Sequence, residues 1–158
     1  MLVVFCLGIL MVSVCLAVGF ALGLKYSNQE VVKMHTLSLK HRGLFEIAVK
    51  WIKEPQKIEN YLIQKEFKKV SIYGMSYLGD CLTNTLRKDG IEVVCGIDRN
   101  ADKLYNPYIP IYNLEDELPQ ADVIIVTTLM YYEQIKSELE MKMNREINII
   151  SLEEILYG

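Results

Sequence analysis

The sequence predicts an α/β domain, a parallel sheet with flanking helices, preceded by one transmembrane helix and a helical neck. Three observations carry this reading. Residues 1–24 hold no charged side chain, although the 158-residue chain has 17 Lys and Arg and 20 Asp and Glu. Apolar residues then recur at three- and four-residue steps through residues 27–53, a helical period. From Lys68 onward, short β-prone runs alternate with helix-like segments, the pattern of βαβ units. An apolar content of 51% excludes intrinsic disorder. A formal net charge of −3 gives no reason to expect nucleic acid as a partner.

From Leu2 to Leu24 only Gly8, Ser13, Gly19 and Gly23 interrupt an apolar run. As a helix it spans roughly 34 Å, enough for a bilayer core of about 30 Å. No Lys or Arg precedes the run, so it reads as an uncleaved anchor rather than a signal peptide. Residues 2–24 are thus the expected contact with the membrane. Lys25, Lys33, Lys40, Arg42, Lys50 and Lys53 follow it, against Glu30 and Glu46. By the positive-inside rule the rest of the chain faces the cytoplasm, as in a single-pass inner-membrane protein.

The neck, residues 25–67, carries Val31, Met34, Leu37, Leu44, Ile47, Ala48, Trp51 and Ile52 on helical steps, with Gly43 as a weak point. Glu54-Pro55 disfavours continuation. A second short helix holds Ile58, Tyr61 and Leu62 on one face. The neck is expected to pack on the domain or on a second copy of itself, and a homo-oligomer or a polysaccharide-assembly protein is the partner it would meet.

In residues 68–158, Val70-Ser71-Ile72-Tyr73 is a strand, Gly74-Met75-Ser76-Tyr77-Leu78-Gly79 a turn, and Asp80 to Lys88 a helix ended at Asp89-Gly90. Ile91 to Ile97 is the second strand, with Asp98 at its tip. Asn100–Pro110 is a loop, Ile109–Tyr112 a short strand and Leu114–Leu118 a helical turn. Ala121–Thr128 is a near-continuous apolar run, suited to the centre of a parallel sheet. Tyr131–Met143 is a helix and Ile147–Ile150 a last strand. Ser151 caps a short helix, Leu152–Leu156.

This order carries a Rossmann fingerprint with one departure. Gly74 makes the tight turn and Gly79 lets helix and strand approach. Ser76 stands where a glycine would let backbone approach a pyrophosphate. Asp98, about 20 positions on, can accept hydrogen bonds from a ribose diol. The helix N-terminus behind the turn offers free N–H groups for phosphate. Arg99 can meet a phosphate or be solvated. The expected ligand is NAD or a UDP-sugar. Cys81 and Cys95 are isolated, and no Cys/His cluster suggests a metal.

The segments KVSIYGMSYLG, VVCGIDRN, IPIYNLEDEL, ADVIIVTT and INIISLEEIL resemble small Rossmann-like domains of bacterial surface-polysaccharide proteins. They are similar to the N-terminal nucleotide-sugar-binding domain of sugar O-acyltransferases and to the cores of nucleoside-diphosphate-sugar epimerases. The resemblance covers about residues 68–158 and implies nucleotide or nucleotide-sugar binding in surface-polysaccharide biosynthesis. It implies a pocket lined by Gly74 to Gly79, Asp98, Thr127 and Thr128. The hexapeptide repeats of the acyltransferases' catalytic part are absent from the sequence, so that activity is not implied. Tyr132-x-x-x-Lys136 has the spacing of an acid–base pair in short-chain dehydrogenases and epimerases. It directly follows the Asp122–Thr128 strand, however, where those enzymes place it on a later helix. No autonomous catalysis is expected. An NAD-dependent epimerase or dehydrogenase fragment and a degenerate scaffold that binds a protein are the rival readings.

Overall fold

A computed structural model describes residues 2–88, 90–143 and 147–158. Side chains are described from Lys25 onward, except Tyr26, Ser27, Lys40 and Lys88. The break expected at Asp89 lies outside the described residues. The chain divides into two compact units, residues 1–42 and 43–158.

Helix α1 runs Leu2–Lys53 without interruption at Gly43. The side chains of the expected anchor, residues 2–24, lie outside those described. Among the described residues, no helix is long and apolar enough to cross a membrane. In the first unit, Val31, Val32, Met34, Leu37 and Leu39 are all exposed, and Lys33 pairs with Glu30 at 3.2 Å.

The second unit is built on strands β1 (Lys69–Tyr73), β2 (Glu92–Ile97), β3 (Ile111–Tyr112), β4 (Val123–Val126) and β5 (Asn148–Ser151). They form one sheet in the order β3-β2-β1-β4-β5, with every pairing parallel. This is the expected α/β class. β1 and β4 run in register from Val70–Val123 to Tyr73–Val126. Against β2 the register shifts by one residue between the Val70–Val93 and Ser71–Cys95 pairs, leaving Val94 unpaired.

Side-chain alternation splits the sheet into two buried faces. Val70, Ile72, Val93, Val123 and Ile125 point to one. Helix α3 (Tyr77–Lys88) covers that face with Leu78, Leu82 and Leu86, joined by α2 (Lys57–Gln64), α5 (Leu152–Tyr157) and the end of α1. Ile47 of α1 is 2% exposed, and Leu44 and Trp51 pack beside it. The C-terminal part of the neck therefore packs on the domain, the first of the two arrangements expected for it. Fully burying one such aliphatic side chain contributes about 1.5–3 kcal/mol, which fixes α1 to the sheet from Leu44 onward. The other face carries Tyr73, Cys95, Ile97, Ile124 and Val126 under helix α4 (Tyr132–Met143), through Ile135 and Leu139.

Three expected elements differ in detail. Helix α3 starts at Tyr77, inside the glycine turn, not at Asp80. Residues 114–118 form a turn and no helix: Asp116 donates its N–H to the Asn113 carbonyl and returns a carboxylate to the Asn113 N–H. The chain closes one three-residue turn there and makes no i to i−4 helical bond. A 3-10 turn, Leu129–Tyr131, precedes α4. Ser151 does cap α5, its hydroxyl accepting from the Glu154 N–H at 2.9 Å.

Candidate functional site

Strand order reverses direction at β1. From β1 the chain adds β2 and β3 on one side, then returns to place β4 and β5 on the other. In parallel sheets ligands bind outside the carboxyl ends of the strands at such a switch point. Here that point lies between Tyr73 of β1 and Val126 of β4. The glycine turn leaves one strand there and Thr127-Thr128 leaves the other.

Gly74 has φ +94°, a conformation that side chains other than glycine rarely adopt. Its N–H donates to the Ile97 carbonyl at 2.8 Å. A Cβ on Gly74 would also lie 2.6 Å from Thr128 Oγ1 and 2.7 Å from Thr127 Oγ1. Both the conformation and the close approach therefore require glycine. The nearly buried Thr127 hydroxyl donates to the Gly74 carbonyl at 2.7 Å and lies 3.1 Å from that of Tyr73. Thr127 thus locks the turn to β4. Gly79 sits against the same peptide: its Cβ would lie 2.4 Å from the Gly74 carbonyl oxygen.

Asp98, half-buried at the tip of β2, accepts from the Met75 N–H at 2.9 Å through Oδ2. Its Oδ1 accepts from the Asn100 N–H at 2.9 Å. The carboxylate therefore orders the glycine turn. Each oxygen has a second lone pair for a further donor. The Met75 side chain is buried, and a Cβ on Gly96 would meet its Cγ at 2.5 Å. Gly96 is small so that Met75 can fill the space over β2.

Of the expected site residues, the structure gathers Gly74, Met75, Gly79, Asp98, Thr127 and Thr128 around one turn. Ser76 and Tyr77 are exposed at the start of α3, where helix N–H groups lack intrahelical partners. Leu78 points into the core. Arg99 is turned to α4, where it donates to Glu138 Oε1 at 2.8 Å and to Oε2 at 2.6 Å. That pair holds the Glu138 carboxyl below its usual range. Beneath it the Tyr73 hydroxyl is buried without a well-aligned partner among the described residues. Burial raises its pKa, and the Arg99 charge offsets part of that rise.

Asn106 was not expected from the sequence. Its Nδ2 donates to Asp80 Oδ1 at 3.0 Å, and its Oδ1 accepts from the Tyr108 N–H at 2.9 Å. The nearly buried amide ties the loop after β2 to the first turn of α3. The signal was Asn106-Pro107, a dipeptide that starts turns.

The Tyr132 hydroxyl donates to the Ile149 carbonyl at 2.9 Å, and Lys136 Nζ lies 5.9 Å from the ring centroid. Burial, then Glu154 and Glu133, push the phenol's pKa up, where an acid–base tyrosine needs it lowered. The Cys95 thiol is raised by burial and lies 3.3 Å from the Ser71 hydroxyl. Among the described residues no three His, Cys, Asp or Glu gather as metal ligands would.

No curated protein and no solved structure matches the chain. A family model, that of C2185-like proteins, N-terminal, matches residues 66–150, more than half of the sequence. The glycine turn, Asp98, Thr127 and Thr128 all fall inside that span, and the chain belongs to the C2185-like N-terminal domain family.

Proposed function

We propose that this chain is a membrane-anchored, cytoplasm-facing Rossmann-like domain that binds a nucleotide or nucleotide sugar and assists surface-polysaccharide biosynthesis. The observation that carries the binding is the glycine turn at the switch point of the sheet, tied to β4 by Thr127 and bridged to Asp98. Phosphates would lie over the Gly74–Gly79 turn against the start of α3, with a ribose diol donating to Asp98. The anchor and orientation rest on the uncharged run at residues 2–24 and the basic excess after it. The surface-polysaccharide role rests on the resemblance of residues 68–158.

A scaffold reading, in which the domain binds a protein and no nucleotide, has one observation in its favour. Both oxygens of Asp98 already accept backbone N–H groups. An NAD-dependent enzyme is disfavoured by the raised pKa and committed hydroxyl of Tyr132. Thermal shift of the full chain against NAD(H), NADP(H), UDP-sugars and CoA separates nucleotide binding from the scaffold, and turnover with bound NAD separates the enzyme from both. A ligand at 100 times its dissociation constant stabilises by about 2.7 kcal/mol. Stabilisation by a UDP-sugar or NAD supports nucleotide binding, and no shift with any of them at millimolar concentration favours the scaffold.

A further inference from the structure

The loop between β2 and β3 leaves Asp98 and runs along the side of the sheet that α3 covers, where Leu104 and Ile109 pack into the core. One bond fixes its course. The nearly buried Asn106 amide donates to Asp80, in the first turn of α3, at 3.0 Å. Asp80 is three residues past Tyr77, about 4.5 Å along the helix axis, so this bond sets Tyr105 beside the start of α3. Tyr77 is the first residue of that helix. Both rings stand in water: Tyr105 is 85% exposed and Tyr77 81%. Among the described residues neither makes a hydrogen bond or a ring contact. Tyr108, in the same loop, differs. The Arg87 guanidinium lies 4.0 Å from its ring centroid, a cation–π pair. Contacts within the domain account for Tyr108 and leave the rings of Tyr105 and Tyr77 without a partner.

An exposed tyrosine offers a flat apolar face, which suits a partner that is itself a flat ring. The position of the two rings selects that partner. Asp98 starts the loop that carries Tyr105. Its carboxylate also accepts from the Met75 N–H, two residues before Tyr77, at 2.9 Å. A base is attached to the ribose carbon next to the diol, so a diol held at Asp98 leaves the base beside that residue, between the loop and the start of α3. Base–aromatic stacking tolerates any base, because each has a π face. The same rings therefore suit a uracil or an adenine.

We infer that Tyr105 and Tyr77 form the nucleobase platform of the proposed site, stacking on the base of a nucleotide whose ribose faces Asp98. The inference rests on the nucleotide-binding reading, and its test keeps the two separable. UDP, ADP and pyrophosphate are titrated calorimetrically into the full chain in detergent. Tyr105→Ala and Tyr77→Ala should each weaken whichever of UDP and ADP the wild type binds by about 5- to 150-fold, the range of one base–aromatic stack. Pyrophosphate affinity should stay as it was. Tyr105→Phe and Tyr77→Phe keep the ring and should bind as the wild type does. All four are changes of exposed side chains, and Trp51 fluorescence checks that each variant is folded. Wild-type nucleotide affinity in either alanine variant, or phenylalanine variants as weak as the alanine ones, overturns the platform and leaves nucleotide binding intact. Pyrophosphate bound as tightly as UDP and ADP overturns the platform and leaves the turn a phosphate site. Silence from all three probes at millimolar concentration overturns both.

Discussion

Gly79→Ala separates packing from helix propensity by the sign of its effect. Gly79 lies in the first turn of α3, and replacing a helical glycine by alanine ordinarily stabilises by about 1 kcal/mol. Here the new Cβ would lie 2.4 Å from the Gly74 carbonyl oxygen and 3.2 Å from its carbon. That neighbour is backbone, pinned by the Gly74 N–H bond to Ile97 and the Thr127 bond to its carbonyl. It cannot rotate away as a side chain would. Overpacking of this kind costs about 1–3 kcal/mol, and the rigid neighbour places it near the upper end. The net expectation is a loss of about 2 kcal/mol, roughly 6–10 °C in melting temperature for a domain of this size. Trp51, the only tryptophan, packs against the core of this unit and reports its unfolding by fluorescence. A variant that melts at or above the wild-type temperature would show that α3 does not press on the Gly74 peptide.

Four further outcomes follow from the same geometry. Thr127→Val keeps shape but leaves the Gly74 carbonyl without its 2.7 Å donor; a loss of about 1–3 kcal/mol in denaturant unfolding is expected, and an unchanged midpoint would free Thr127 of that role. Tyr132→Phe removes the bond to the Ile149 carbonyl and should cost about 1 kcal/mol; an equally stable variant would mean the hydroxyl is available for chemistry after all. Asp122 accepts from the Lys69 and Lys68 N–H groups, which lowers its pKa. Its folded pKa is depressed, so the stability it adds is present above the ordinary aspartate range and is lost as pH falls through the folded value; Asp122→Ala should flatten the acid limb of stability against pH, and an identical limb contradicts this. Protease added to sealed, right-side-out cells should spare residues 43–158, and their digestion would reverse the proposed orientation.

The sheet was legible because its strands announce themselves twice, by β-branched runs and by the breakers between them. Ala121–Thr128 read as a central strand from its apolar run, and the strand within it, Val123–Val126, is buried on both faces. Ser151 read as a cap and is one. The turn at 114–118 misread because Leu114, Glu115, Glu117 and Leu118 favour helix, whereas the chain closes only one turn there, from the Asp116 N–H to the Asn113 carbonyl. Residues 44–62 read only as an amphipathic neck. Periodicity shows that a helix has an apolar face, not which surface covers it, and Ile47, Ile58 and Leu62 cover the sheet. At the site, glycine spacing located the turn and Asp98. It could not show that Asp98 bonds to Met75, that Arg99 turns to Glu138, or that Asn106 closes the loop onto Asp80, since those partners lie 23, 39 and 26 residues apart.

The most direct test of nucleotide binding is calorimetric titration of wild type and Asp98→Ala with UDP-glucose and NAD. Wild type should bind at least one of them, and Asp98→Ala should weaken that binding by about 10- to 150-fold, the loss of bonds to a charged acceptor worth about 1.5–3 kcal/mol. Part of the loss would come through the Met75 N–H, so circular dichroism must show the variant folded. Unchanged affinity in a folded Asp98→Ala variant, or no binding by the wild type at millimolar ligand, would contradict the account.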